Sequence, residues 1–215
     1  MSLVTFPSLD LELELLESFD LVIGVDEVGR GALAGPVAVG AAVFTKTTNL
    51  EIPTGLRDSK LLAESKRDGI ADLARSWVTH QVGYSSVFEI EQFGITKALE
   101  QAAIGAIAPL IGPNTVVLLD GSHNWLKDSG LPVEYFMRVK ADRDCAVVSA
   151  AALIAKTERD QMLRELHEEF PAYDWAGNKG YASEKHIAAI KEHGPTEHHR
   201  VSWLQKILGE QNLLF

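Results

Sequence analysis

Residues 21–44 read LVIGVDEVGRGALAGPVAVGAAVF, two apolar runs around a charged, glycine-rich turn. Its first five residues are an apolar run halted by Asp26 and Glu27, the pattern of a strand buried on both faces. Gly29-Arg30-Gly31 follows, and its glycines permit a sharp turn and a close backbone approach to a ligand. From Pro36 a second run of small and β-branched residues extends to Phe44. The proline stands at the first strand position, where its missing N–H is tolerated. Two strands joined by a short glycine-rich connection are therefore expected.

Further strands are expected over residues 79–87, 116–119 and 134–139. Helical spacing appears over 61–78, 95–111, 144–169, 183–193 and 201–208. Residues 9–17 (LDLELELLE) suit either a helix capped by Ser8 or an alternating strand. The first half of 144–169 is almost wholly apolar and belongs in the core. The order of elements predicts an α/β fold, a mixed sheet with helices on its faces. No repeat or linker interrupts it, and the composition turns polar and histidine-rich only after about residues 169–174.

The chain has 215 residues, of which 46% are hydrophobic and 23% charged, ordinary values for one globular domain. No apolar run approaches the roughly 20 residues of a membrane helix. The N-terminus lacks the basic and apolar segments of a signal peptide, so a cytoplasmic, membrane-free protein is expected. The single cysteine, Cys145, excludes an internal disulfide and lies in the run CAVVSAAALIA, where a thiol is buried and inert. Twenty basic residues against 30 acidic ones give a net charge of −10, which argues against a simple DNA-coating protein. Bound divalent cations can still reverse the local sign where a phosphate must sit.

The chemistry concentrates at strand ends. Asp26 and Glu27 close the first buried strand, and Asp120 closes the run VVLLD before Gly121. Asp142 falls between a strand and the apolar helix. Any one of them is adequately explained as a helix or turn cap. Four at one edge of a sheet form an oxygen-only donor set suited to Mg²⁺ or Mn²⁺ rather than zinc. Ser59 and Lys60, before a helix, could offer a hydroxyl and an ammonium to phosphate, or simply start the helix. Tyr181 in Gly-Tyr-Ala could stack on a sugar or base, or pack as an ordinary ring. His198-His199-Arg200 has no metal-ligand spacing and reads as structural.

Taken in order, VIGVDEVGRGALAGPVAVGAAV, DSK, VVLLDG, KAD with VVSAAALIAKTERD, NKGYASEKH and GPTEHHRVSW resemble the motifs of the type 2 ribonucleases H, bacterial ribonuclease HII. Type HIII enzymes share the carboxylates but carry a sizeable N-terminal extension, whereas here 25 residues precede Asp26. Ala152 departs from the family's usual SAAS, which removes a hydroxyl. The resemblance implies a ribonuclease H-like mixed sheet flanked by helices, with a catalytic core over residues 1–170. Residues 171–215 would be a C-terminal helical region and tail of the same unit.

It further implies a divalent-metal-dependent endoribonuclease, using Mg²⁺ or Mn²⁺. The enzyme would hydrolyse RNA in RNA–DNA hybrids and incise at single ribonucleotides in duplex DNA, leaving 3′-hydroxyl and 5′-phosphate ends. Asp26, Glu27, Asp120 and Asp142 would take the catalytic, metal-holding places. Gly29, Arg30 and Gly31 would sense the 2′-hydroxyl, Tyr181 would lie beside the junction sugar, and Ser59 and Lys60 would contact phosphate. A monomer is expected. The tail Gln211-Asn212-Leu213-Leu214-Phe215 resembles the Q-x-x-L-F peptides that dock on the bacterial sliding clamp.

Two other readings remain at this level. A phosphotransferase or ATPase would want a glycine loop of the type G-x-x-x-x-G-K-[ST], which is absent from the sequence. A non-catalytic nucleic-acid-binding module would show a basic face and need no acid cluster.

Overall fold

A computed structural model describes residues 6–208; the tail over residues 211–215 lies outside them. Five strands form one sheet: β1 (Leu21–Val28), β2 (Val37–Thr45), β3 (Thr79–Ser85), β4 (Thr115–Asp120) and β5 (Glu134–Arg138). Their spatial order is β3-β2-β1-β4-β5. The β1–β2 and β2–β3 pairs are antiparallel, and β1–β4 and β4–β5 are parallel. The mixed sheet expected from the sequence is thus present. In the parallel pair Val25 lies opposite Leu119, so Asp26 and Asp120 follow side by side at adjacent carboxyl ends.

Helices cover both faces. On one lies α6 (Ala146–Glu169), preceded by the short α5 (Ala141–Asp144); on the other lies α4 (Ile95–Ile107). Strand alternation sends Val22, Val116 and Leu118 into the core beneath α6 and Ile23, Val25, Val117 and Leu119 into the core beneath α4. Asp26 and Asp120 are in phase with the first set, so both carboxylates project on the α6 side. Small residues let the helices come close. A Cβ on Gly40 would stand 2.2 Å from the Ala151 carbonyl oxygen, and one on Gly83 2.0 Å from that of Ala102. Any larger residue at either place would push its helix off the sheet, opening the core on that face.

The remaining helices are α1 (Asp10–Leu15), α2 (Glu64–Trp77), α3 (Val87–Phe93), α7 (Trp175–Asn178), α8 (Glu184–His193) and α9 (Gln205–Leu208). A third core cluster joins Leu163 of α6 to Leu33, Ala34, Tyr173, Trp175, Ile190 and Leu204, and it fixes the C-terminal helices on the end of α6. No helix among the described residues is long and apolar enough to cross a membrane.

Several local expectations need correction. Residues 9–17 choose the helix, but Leu9 is its N-cap residue, and the Ser8 backbone instead bridges Cys145. That pairing, with Ser8 N–H donating to the Asp144 carbonyl at 3.0 Å, holds Cys145 extended. The helix expected over 144–169 therefore begins only at Ala146, and the separate turn α5 closes at Asp144 before it. The helix expected from residue 61 begins at Glu64, after a single 3-10 turn over Ser59–Leu61. Helix α3 was not foreseen, although Ser86 and Glu89 form a reciprocal capping box at its start.

Candidate active site

A cleft of about 490 Å³ opens where the carboxyl ends of β1 and β4 meet α6. Its walls include all of the expected site residues: Asp26, Glu27, Gly29, Arg30, Gly31, Ser59, Lys60, Asp120, Asp142 and Tyr181. Residues more than 150 positions apart in sequence are thereby brought to one place. Open α/β sheets offer such a crevice at the carboxyl ends of their parallel strands, because the connections diverge there.

The carboxylates are placed by backbone. Asp120 Oδ1 accepts the Ala141 N–H at 2.7 Å, which ties the end of β4 to the start of α5. Lys140, just before α5, adopts the left-handed conformation (φ 64°), and the turn it makes carries Asp142 to the cleft floor. The Asp142 carbonyl accepts the Ser149 hydroxyl from the first turn of α6. Glu27, out of phase with Asp26 along the strand, reaches the cleft at the strand end and pairs with Arg30 at 3.4 Å.

These acids strain one another electrostatically. Burial, then the charges of Glu27, Asp142 and Asp120, push the Asp26 carboxyl well above the usual carboxylate range. Burial and Asp142 likewise raise Asp120, against the bonds it accepts from backbone amides. A cation is already drawn in: Lys60 Nζ donates to Asp142 Oδ2 at 3.1 Å. Burial opposes the Lys60 charge, but Asp142, Asp58 and Asp26 outweigh it and raise its pKa. The turn carrying Lys60 is fixed by the Asp58 side chain, which accepts the Lys60 N–H at 2.9 Å.

Among the described residues no three acid, histidine or cysteine side chains stand as a closed metal cage. The donor set nonetheless suits a hard divalent cation. It is oxygen-only and convergent on one cleft, and its mutual repulsion would be relieved by positive charge.

On the opposite wall Tyr181 Oη accepts the Gly29 N–H at 3.2 Å, and the Arg159 guanidinium lies 5.6 Å from the centre of the Tyr181 ring. Gly29 has φ +81°, and a Cβ there would stand 2.1 Å from Arg159 Nε. Arg159 is immobilised, donating to the carbonyls of Ala34, Pro36 and Lys179. Beneath Tyr181 runs a buried imidazole chain. Thr196 N–H donates to His199 Nδ1 at 2.9 Å, which leaves the His199 proton on Nε2, facing His186 Nε2 at 3.1 Å. His186 Nε2 also accepts from Trp175 Nε1, so its own proton sits on Nδ1 and is donated to the Tyr181 carbonyl at 2.8 Å. The segment His198-His199-Arg200, read as structural, does lie in this supporting layer.

Sequence reasoning missed Lys156. It lines the cleft one helical turn beyond Ala152, and its ammonium is held by Asp160 one turn further on. The i, i+4 spacing from Ala152 to Lys156 to Asp160 would have put it on the face of α6 turned to the cleft.

A mixed sheet of this topology, with acids at the ends of adjacent parallel strands and helices on both faces, defines a hydrolase of the ribonuclease H type. The chain belongs to the ribonuclease HII family, whose sequence model, described as Ribonuclease HII, matches residues 23–206. It is 45% identical over 184 residues to a Ribonuclease HII of Streptomyces avermitilis, covering 85% of this chain and 76% of that one. The fold is similar to ribonuclease HII of Archaeoglobus fulgidus, solved in a complex with PCNA. That likeness has a TM-score of 0.70 and 23% identity, covering 85% of this chain and 95% of that one. It is also similar to Bst-RNase HIII, solved in complex with Mn²⁺, with a TM-score of 0.63 and 18% identity over 85% of this chain and 66% of that one. The chain is accordingly an endoribonuclease acting on RNA–DNA hybrids.

Proposed function

We propose that the chain cleaves the RNA strand of hybrids and also incises at single ribonucleotides within duplex DNA, through a two-metal hydrolysis at the four-carboxylate cleft. Asp26, Glu27, Asp120 and Asp142 would hold the ions, Mg²⁺ or Mn²⁺. Bound there, the ions would make hydroxide available and stabilise charge on the phosphate and the leaving 3′-oxygen. The observation that carries this reading is the convergence of all four acids with the Gly29–Gly31 loop and Tyr181 in one cleft. The Mn²⁺ complex of the related HIII fold supports the choice of cation class.

The chain's own groups have separable roles. Gly31 lies exposed, and a Cβ there would meet nothing within 4 Å, so the loop backbone can approach a ribose without obstruction. Distinguishing RNA from DNA requires contact with the 2′-hydroxyl. Tyr181, fixed through its hydroxyl, presents its ring beside that sugar. Ser59 and Lys60 flank the acids and would take an adjacent phosphate, Lys60 exchanging its bond to Asp142 for one to the substrate. Lys156 would add a second positive charge to the same cleft. The protein would act as a cytoplasmic monomer, with residues 1–170 supplying the acids and the C-terminal helical region supplying Tyr181.

Hydrolysis of a labelled duplex with one ribonucleotide would leave a 3′-hydroxyl DNA end and a 5′-phosphate end, and end-group analysis would read this directly. A 2′,3′-cyclic phosphate product would overturn the proposal, because it requires attack by the 2′-hydroxyl instead of water. The PCNA complex of the Archaeoglobus relative supports a clamp partner for this chain, and the docking segment would be the Q-x-x-L-F-like run from Gln211 to Phe215. Binding to a purified bacterial clamp, lost on truncation after Glu210, is the expected result.

A further inference from the structure

The Arg200 guanidinium is fully buried, and its hydrogen bonds end on backbone carbonyls. Nη1 donates to the Arg30 carbonyl at 2.9 Å and Nη2 to the Gly29 carbonyl at 2.8 Å, while Nε and Nη2 share the Gly35 carbonyl. The Trp203 ring packs 4.9 Å away on its face. Two consecutive peptide planes are thus gripped by one rigid fork from beneath.

In a trans peptide the C=O and the following N–H point in opposite directions. Drawing the Gly29 and Arg30 oxygens inward therefore turns the N–H groups of Arg30 and Gly31 outward, on the side of the cleft. Neither amide has a hydrogen-bond partner among the described residues. A donor pair is left free in a loop whose Gly29 peptide groups are both engaged: the Gly29 N–H bonds Tyr181, and the Gly29 oxygen also takes the Ala32 N–H.

We propose that Arg200 is a positioning residue for substrate selection, aiming the Arg30 and Gly31 amides at the oxygen that marks a ribonucleotide. The inference rests on the reading that this loop faces the junction sugar, and it adds the residue that makes the loop competent. Arginine is required because only a planar fork can hold adjacent carbonyls together; lysine keeps the charge but offers a single point of attachment. Preorganised amides need no reordering when the sugar arrives, so their loss would appear in ribonucleotide selection rather than in duplex binding as such.

The test is Arg200→Lys in the full chain. Residual dipolar couplings of the Arg30 and Gly31 N–H bonds, measured without substrate, should fit one fixed orientation in the wild type and collapse towards zero in the variant. Without divalent metal, the wild type should bind a DNA duplex containing one ribonucleotide more tightly than the all-DNA duplex. That preference should fall by about tenfold in the variant, the scale of losing one or two well-made hydrogen bonds, with all-DNA binding little changed. Unchanged couplings in a folded variant, or an unchanged preference, would overturn the proposal. If the variant does not fold, the wild-type couplings decide alone, since averaged values would contradict a fixed amide pair. If the wild type fails to recognise ribonucleotides, the proposed function falls, while the couplings still judge the role of Arg200.

Discussion

The Gly29 amide donates to the Tyr181 hydroxyl at 3.2 Å across 152 positions of sequence, joining the turn after β1 to the C-terminal helical region. The bond makes Tyr181 a brace for the loop, beside its proposed role as a surface for the sugar. Tyr181→Ala should therefore reduce incision at a single ribonucleotide by about tenfold or more, since one aromatic stacking contact is worth roughly 1–3 kcal/mol. Tyr181→Phe, which keeps the ring and loses only the hydroxyl, should fall between the two. Single-turnover rates on a ribonucleotide-containing duplex check this; equal rates for all three proteins would remove Tyr181 from the site.

Lys60 is mostly exposed yet bonded to Asp142, so its removal should disturb binding more than folding. Lys60→Gln should raise KM for hybrid substrates. If the ammonium meets a phosphate, the slope of log affinity against log salt should flatten by about one unit. Titrations at several salt concentrations measure it. A variant with the wild-type slope would mean that Lys60 only balances the acid cluster.

The buried histidines give a pH signature. Burial first, then His186 and His198, depress His199 to about 3, against a usual value near 6.5. The unfolded chain thus binds a proton that the folded chain refuses between those two values. The His199 contribution is flat above about pH 6.5 and erodes as pH falls towards 3, by at most about 1.4 kcal/mol per pH unit. Glu12 works in the opposite sense. Burial raises it to about 7, so the folded state holds its proton and gains relative stability as pH falls from 7 to about 4.5. Comparing wild type with His199→Gln by denaturant unfolding isolates the histidine. The variant should lose less stability on acidification, and parallel curves would contradict the neutral imidazole chain.

What was legible in the sequence was local. The apolar run ending in Asp26-Glu27, and the one ending in Asp120-Gly121, announce buried strands with acids at their tips whatever the rest of the chain does. The bend at Cys145 was not legible, because the Ser8 backbone enforces it from more than 130 positions away. Lys156 and Arg200 were hidden for a related reason. The lysine is marked only by its i, i+4 spacing within the helix, and an arginine after two histidines has no local mark of function at all. Their roles follow from what lies opposite them, the cleft in one case and the carbonyls of Gly29 and Arg30 in the other.

The acids of the β1–β4 edge are proposed to perform the hydrolysis through a divalent cation. Asp120 tests it best, because its neighbour Asp26 lies deeper and its bond to the Ala141 amide can be made by an asparagine oxygen as well. The measurement is cleavage of a labelled duplex carrying one ribonucleotide, for wild type and Asp120→Asn, with Mg²⁺ titrated from zero. Without metal no cleavage is expected, and with it the wild type should cleave saturably. The folded variant should lose at least about a hundredfold, in the range seen when a transition-state electrostatic partner is removed. Wild-type turnover by Asp120→Asn, or cleavage independent of Mg²⁺, would contradict it.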